Sequence, residues 1–363
     1  MKFLLPFLLL PLLALTALCL GDVPTPLSEV WHVLTGQASP DNLASFIILQ
    51  VRLPQMLTAL LCGCSLAAAG LVMQTVFSNP LADPSLLGVN AGAGLGAAIS
   101  MLLLGGSLTA GAVSLGGYLL TVAASCLGAF AIVLLLMSLS ALFRSNLHLL
   151  VAGVMISFAA SALISIFSFF ATSEGLQTYV AWGMGDFGSV TLERLPLFAA
   201  LLLGLLALLF LQTKALNALL LGADYARNLG IRPKRARTLL LFTAGALCAV
   251  VTALCGPIAF IGLAAPQVAR LVHQTANHHT LLPMSLLWGA NMALLALLLG
   301  HAVPGGLTLP VNAITPLMGV PVVMMLLTRR GVTAPLKGRV FNIQKKSRLV
   351  ERRSAPEGGS YLG

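Results

Sequence analysis

Charged side chains are scarce in this sequence. Asp, Glu, Lys and Arg make up 8% of its 363 residues, against the quarter that usually covers a water-soluble domain, so a soluble globular class is excluded. Acidic groups are the rarer half, 10 against 20 basic ones. The six cysteines, Cys19, Cys62, Cys64, Cys126, Cys248 and Cys255, fall within or at the edge of apolar stretches. Their spacing suggests neither a disulfide framework nor a zinc site, and they read as small lipid-compatible core residues. No G-x-x-x-x-G-K-[ST] phosphate loop occurs, which excludes ATP binding by that route. Nor does any ionisable residue stand in the middle of a long apolar run, where ion-coupled transporters and membrane enzymes keep a titratable or coordinating group. The mid-run polar residues are neutral: Gln74, Ser157, Ser161, Ser165, Thr243 and Asn291. The pair His278-His279 is metal-capable in principle, but with no Cys or carboxylate beside it in sequence it is expected to be a solvated turn.

What the sequence does hold is hydrophobic length. Hydrophobic residues are 58% of the chain and the mean hydropathy is +0.98. Apolar runs near 3–20, 54–76, 86–104, 113–142, 147–170, 195–212, 236–256, 257–274, 283–301 and 309–328 each approach the roughly 20 residues that cross a bilayer as helix. The first run follows Lys2 but lacks a small-x-small cleavage site, and Leu18 is bulky where lipoprotein processing wants a small residue; it is read as a span rather than a signal. With the N-terminus inside, 18 of the 20 basic residues fall on the cytoplasmic side and only Arg52 and Arg194 outside. That bias sets the orientation, puts both termini in the cytoplasm and requires an even number of spans. The same placement argues against nucleic acid as the partner of the basic charge. The chain thus divides into a ten-span membrane domain, 1–330, and a basic cytoplasmic tail, 331–363, expected to be disordered.

Local features refine this layout. The external segments 21–53 and 171–194 are long enough for surface helices that receive a partner. The longest cytoplasmic loop between spans, 213–235, is interrupted by Gly222, Gly230 and Pro233. Gly88, Gly92 and Gly96 recur at spacing four on one predicted face of the third span, and Ala59, Gly63 and Ala67 do so in the second, as close helix packing requires. Pro80 and Pro84 predict a broken corner between these spans, either a gate or an ordinary turn. Pro266, Pro316 and Pro321 predict kinked helices.

Residues 50 to 328 resemble a known family at many short motifs taken together. They are Arg52-Leu-Pro-Gln-Met-Leu, Gly63, Gly70, Gln74, Asn79-Pro-Leu-Ala-Asp-Pro84, Leu87-Gly-Val89, Gly92-Ala-Gly94, Leu150-Val-Ala-Gly-Val154 and Trp182-Gly-Met-Gly-Asp-Phe-Gly188. The series continues with Leu221-Gly-Ala-Asp-Tyr-Ala-Arg-Asn-Leu-Gly230, Gly256-Pro-Ile-Ala-Phe-Ile-Gly-Leu263, Pro266, Leu281-Leu-Pro283, Leu309-Pro310 and Gly319-Val-Pro321. The resemblance is to the FecCD-type permeases, membrane subunits of bacterial ABC importers for ferric siderophores, haem and cobalamin.

It implies an all-α integral membrane protein of ten transmembrane helices with type II importer architecture, paired with a second permease copy. It further implies an ABC ATPase subunit that holds ATP and Mg, a periplasmic or lipid-anchored substrate-binding protein, a setting in inner-membrane lipid, and no cofactor or metal bound by the chain itself. Position by position, Asn79, Pro80, Leu81, Asn146 and Leu147 match the cytoplasmic gate. Leu221, Gly222, Ala223, Asp224, Arg227, Leu229 and Gly230 match the ATPase-coupling segment, and Arg52, Gln55 and His301 the binding-protein docking positions. Departures are Gln55 where a second arginine is common, His301 aligned with another docking arginine, Thr308 for a glutamate, and Asn277-His-His279 for Asp-His-Arg. The function implied is a transport subunit, not an enzyme, importing an iron chelate, foremost a ferric siderophore, with haem or cobalamin as further cargoes. An ATPase-independent secondary transporter or channel is the alternative, and a pseudo-permease with a sensing role a third.

Overall fold

A computed structural model describes residues 3–328 apart from 22, 24, 38–41, 106, 111–112, 144–145 and 303–307. The tail 331–363 lies outside the described residues. Ten principal helices fall on the ten apolar runs: α1 (Leu5–Cys19), α2 (Leu53–Val76), α3 (Val89–Ala98), α4 (Tyr118–Leu142), α5 (Asn146–Phe170), α6 (Leu195–Leu211), α7 (Pro233–Cys255), α8 (Ile261–His273), α9 (His278–Gly300) and α10 (Val311–Thr328). Among the described residues, by length and composition alone, five helical segments can cross a membrane, a sixth if α6 is joined to the helix Thr213–Leu220 at its 50° bend, and α1, α3 with its π-helical extension and α10 are shorter apolar helices.

Two runs are not continuous helix. The fourth was expected to begin at 113, but Ser107–Ala110 and Val113–Gly116 pair as a short antiparallel hairpin and α4 starts only at Tyr118. The eighth was expected from 257, yet Gly256 (φ +76°) and Phe260 (φ +68°) hold the chain out of helix until Ile261. The 13 residues of α8 reach only about 20 Å, short of a bilayer core. Irregular backbone at such a place is tolerated because it is covered by protein: Gly256 meets the Trp182 carbonyl and Asp186 donates its N–H to the Cys255 carbonyl at 2.9 Å.

At the centre of the bundle α2 packs against α7, α8 and α9, and α3 against α4 and α5. Small residues permit the close crossings. A methyl group at Gly63 would strike the Gly289 carbonyl and one at Gly289 would strike that of Gly63; Gly70 is likewise pressed on Gly262. Gly92 and Gly96 contact Gly128 and the Ala124 carbonyl of α4. Gly88 departs from that predicted stripe: it is a left-handed cap (φ +82°) ahead of α3 and faces Gly153 and Ser157 of α5. Asn291 of α9 donates to the Pro6 carbonyl at 3.0 Å and so ties α1 to the bundle. The antiparallel pair α2 and α9 defines two faces. One holds Thr75 beside His278, together with the Lys/Arg-rich segment after α6; the other holds Gln55 near His301.

Candidate functional site

The expected gate corner lies on the basic face. Helix α2 stops at Val76, and Ser78 adopts a left-handed conformation (φ +49°). The Asn79 side chain then accepts the Leu81 N–H at 3.0 Å, while the Asn79 and Ala82 amides donate to the Gln74 and Asn79 carbonyls at 3.1 Å each. These bonds supply what the two prolines cannot, since proline lacks an N–H. Asp83 caps the following 3-10 turn, Pro84–Leu87. Burial pushes its carboxyl up to about 6 against the opposing hydrogen bonds from Ser85.

Three residues outside the expected gate set hold this corner. Gln267 of α8 donates Nε2 to the Pro80 carbonyl at 2.6 Å and to Gln74 Oε1 at 2.9 Å. Gln74 in turn donates to the Leu263 carbonyl at 3.2 Å and accepts a close contact from Arg270. The signal in sequence was the polar pair Gln267 and Arg270, three apart in an apolar run and therefore on one helix face. Asn146 and Leu147 open α5, but their side chains lie outside the described residues.

The expected coupling segment is a protruding elbow. Thr213–Leu220 and Ala223–Asn228 are short helices separated by Gly222, and the second ends in a Schellman motif: Gly230 (φ +77°) donates to the Arg227 carbonyl at 2.9 Å and Ile231 to that of Ala226 at 3.0 Å. Pro233 then starts α7 at once. Leu221, Tyr225 and Leu229 recur every fourth residue and are 47%, 48% and 57% exposed. Ala223, Asp224, Arg227 and Gly230 are exposed too, with Asp224 and Arg227 paired at 2.9 Å. Together Leu221, Tyr225 and Leu229 form an exposed apolar stripe along the elbow.

His278 overturns the solvated-turn expectation. It is 1% exposed, with Nδ1 at 2.8 Å from Asn217 Oδ1 and Nε2 at 2.8 Å from Thr75 Oγ1. Only His279, one residue and so about 100° further round α9, is exposed.

On the opposite face the three expected docking residues meet. Arg52, Gln55 and His301 line one cavity of about 180 Å³ with Leu20, Ile47 and Leu298. Arg52, however, does not point outward as a docking cation should. It is 6% exposed and donates to the Leu18 carbonyl at 2.7 Å, the Cys19 carbonyl at 3.1 Å, Thr25 Oγ1 at 2.6 Å and the Val23 carbonyl. The carbonyls at the C-terminal end of α1, which have no partner within the helix, draw the guanidinium inward. Arg194, the other cation expected outside, sits 3.9 Å over the Tyr118 ring. Among the described residues no three His, Cys, Asp or Glu side chains come together as a metal site.

Ten principal helices among the described residues, a corner held between α2 and α8, and an exposed helical elbow define a membrane permease of the type II ABC importer architecture. Residues 9–329 match the FecCD transport family, and the chain belongs to it. It is 37% identical over 322 residues to the vitamin B12 import system permease protein BtuC of Klebsiella pneumoniae subsp. pneumoniae, covering 89% of this chain and 92% of that one. It is 36% identical over 331 residues to the protein of that name from Escherichia coli O127:H6, covering 91% and 96%. Among solved structures, an inward-facing putative metal-chelate type ABC transporter shares the fold with TM-score 0.76 and 30% identity over 89% of this chain and 97% of its own. PsaBC from Streptococcus pneumoniae shares the fold alone, with TM-score 0.52 and 16% identity over 79% of this chain.

Proposed function

We propose that this chain is the permease through which a bulky metal chelate enters the cell. The observation that carries the reading is the near-full-length likeness to vitamin B12 permeases, and it moves cobalamin ahead of the ferric siderophore that the sequence motifs put first. The ferric siderophore remains the second cargo, favoured by the likeness to a putative metal-chelate type ABC transporter. The basic face is assigned to the cytoplasm, with both termini there, and the membrane is the bacterial inner membrane. ATP and Mg bind in a separate ATPase subunit, which seats on the stripe Leu221, Tyr225 and Leu229. Hydrolysis there moves the elbow, and the corner Asn79–Leu81, with Asn146 and Leu147, opens or shuts the inner mouth in alternating access. A substrate-binding protein docks over the cavity of Gln55 and His301. A second permease copy faces α5, whose stretch His148–Phe170 is mostly uncovered within one chain.

The test is a mild-detergent pull-down from native membranes, followed by uptake of radiolabelled cyanocobalamin or a radiolabelled ferric hydroxamate into proteoliposomes loaded with ATP. Recovery of an ATPase in equal number and ATP-dependent uptake of one chelate are expected. Purification without an ATPase, together with uptake that ignores ATP, would overturn the reading in favour of a secondary transporter or channel.

A further inference from the structure

Between the elbow and the corner lies a series of polar side chains, most of them buried, that no sequence motif singles out as a set. Asn217, on the helix Thr213–Leu220, accepts the His278 backbone N–H at 2.8 Å and donates Nδ2 to Asn277 Oδ1 at 2.9 Å. Those two bonds fix the amide orientation, so its oxygen also accepts from His278 Nδ1 at 2.8 Å. The imidazole therefore carries a proton on Nδ1, and its Nε2 lies 2.8 Å from Thr75 Oγ1, a hydroxyl that is also 2.8 Å from the Leu71 carbonyl. Thr75 sits in the last turn of α2, next to Gln74, whose Oε1 accepts from the same Gln267 amide that holds the Pro80 carbonyl. Gln74, Thr75, Gln267 and His278 are each 3% exposed or less.

Resting on the coupling role proposed for the elbow, we propose that Asn217, His278, Thr75, Gln74 and Gln267 form a latch that delivers motion of the elbow to the gate corner. They are positioning residues and touch no cargo. Two properties of the set support this. Its hydrogen bonds join amides, an imidazole and a hydroxyl, with Thr75 and Gln74 adjoining along the backbone of α2, and the single Thr75 proton has two acceptors within reach, the Leu71 carbonyl and His278 Nε2, so the set has discrete arrangements rather than a continuum. It also ends on a proline carbonyl in the one non-helical stretch between α2 and α3, the element able to change shape. Spatial continuity alone does not establish coupling, so the test measures coupling.

The assembled complex of full-length chain, ATPase and binding protein is placed in proteoliposomes, and chelate taken up per ATP hydrolysed is recorded with cyanocobalamin and a ferric hydroxamate in parallel. Thr75→Val and Gln267→Met are each expected to lower that ratio about 5- to 10-fold, within the range of coupling between sites, while hydrolysis itself stays within about twofold. The double variant is expected to be no worse than either single one, as for links in one chain. Thr75→Ser, which keeps the hydroxyl, is expected to restore the ratio. Ser285→Ala, which removes a buried hydroxyl bonded to the Leu281 carbonyl at 2.6 Å within α9, is expected to leave it unchanged. Parallel loss of hydrolysis and uptake, additive effects in the double variant, or equal uncoupling by Ser285→Ala would overturn the latch while leaving the importer reading intact. If Thr75→Val does not assemble, Gln267→Met decides alone. If the unaltered complex shows no ATP-driven uptake of either chelate, the importer reading falls and the latch with it.

Discussion

Arg52→Met separates a structural arginine from a docking one. Methionine keeps the apolar stem and removes the guanidinium, leaving the Leu18, Cys19 and Val23 carbonyls and the Thr25 hydroxyl without their charged donor. Thr25 partly compensates, because its amide donates to the Cys19 carbonyl at 3.1 Å and its hydroxyl lies 3.3 Å from that of Leu18. Taking about 1 kcal/mol for each of three acceptors left short, and offsetting part of it by the desolvation the buried guanidinium no longer suffers, the net loss is about 2–3 kcal/mol. At about 2–4 °C per kcal/mol for a chain of this size class, the unfolding midpoint in detergent should fall by roughly 5–10 °C. Tryptophan fluorescence against temperature reads it at a fixed scan rate. The affinity of the purified binding protein, measured on variant that is still folded, should change less than about threefold, which is under 0.7 kcal/mol. A midpoint within 1 or 2 °C of the parent, with roughly tenfold weaker binding-protein affinity, would refute the inward placement and restore Arg52 to the docking surface.

Three further outcomes follow from the geometry. Gly70→Ala drives a methyl group onto the Gly262 backbone and should cost about 3 kcal/mol, the upper end for overpacking, whereas Gly204→Ala, with open space around it, should be neutral; paired thermal melts compare them. Asp83 has its carboxyl raised from 3.8 to about 6 in the fold, so folding disfavours the ionised form. The penalty is absent below pH 4, develops between about 4 and 6, and amounts to about 3 kcal/mol above that window at 1.36 kcal/mol per pH unit; the midpoint should fall with rising pH in the parent and stay level in Asp83→Asn. Gly230→Ala meets no steric obstacle but strains a left-handed backbone (φ +77°), costing about 1 kcal/mol, confined to the elbow. Limited proteolysis between 221 and 232 should quicken without a matching shift in the global midpoint.

Much of the bundle was legible because lipid is an unforgiving solvent: a run of apolar residues long enough to cross has few other fates. Legibility failed where the same composition fits two backbones. Residues 256–260 are apolar enough for a span, and Gly256-Pro257 was the sole hint of the extended stretch that delays α8 to Ile261. The hairpin ahead of α4 was hidden in the same way. For the site, the elbow could be read because glycine and proline punctuate it, and the Schellman bonds at Gly230 and Ile231 show why those residue types stand there. Arg52 and His278 could not be read, since their partners lie 34 and 203 residues away in sequence. A cation at a helix start and two adjacent histidines both look solvent-facing until the folded chain brings α1 and α2 beside them.

The polar chemistry of the interior also says what kind of energy can work on it. Between the elbow and the corner the described contacts are amides, hydroxyls and one imidazole, with Arg270 alone charged beside Gln74. Exchanging one neutral hydrogen bond for another costs only about 1 kcal/mol, so a handful of such bonds can be rearranged by the several kcal/mol that a bound partner supplies through differential affinity for two states. No charge need cross the apolar layer to do it. An ion-driven carrier would need a titratable group within its spans, and the neutral residues noted there, Asn291 and Thr243, are engaged in tying helices together: Asn291 holds α1, and Thr243 of α7 accepts from Gln212 after α6 at 3.0 Å. On the coupling role proposed above, such an interior suits a bundle moved from its basic face, by the ATPase proposed to seat on the exposed Leu221, Tyr225 and Leu229.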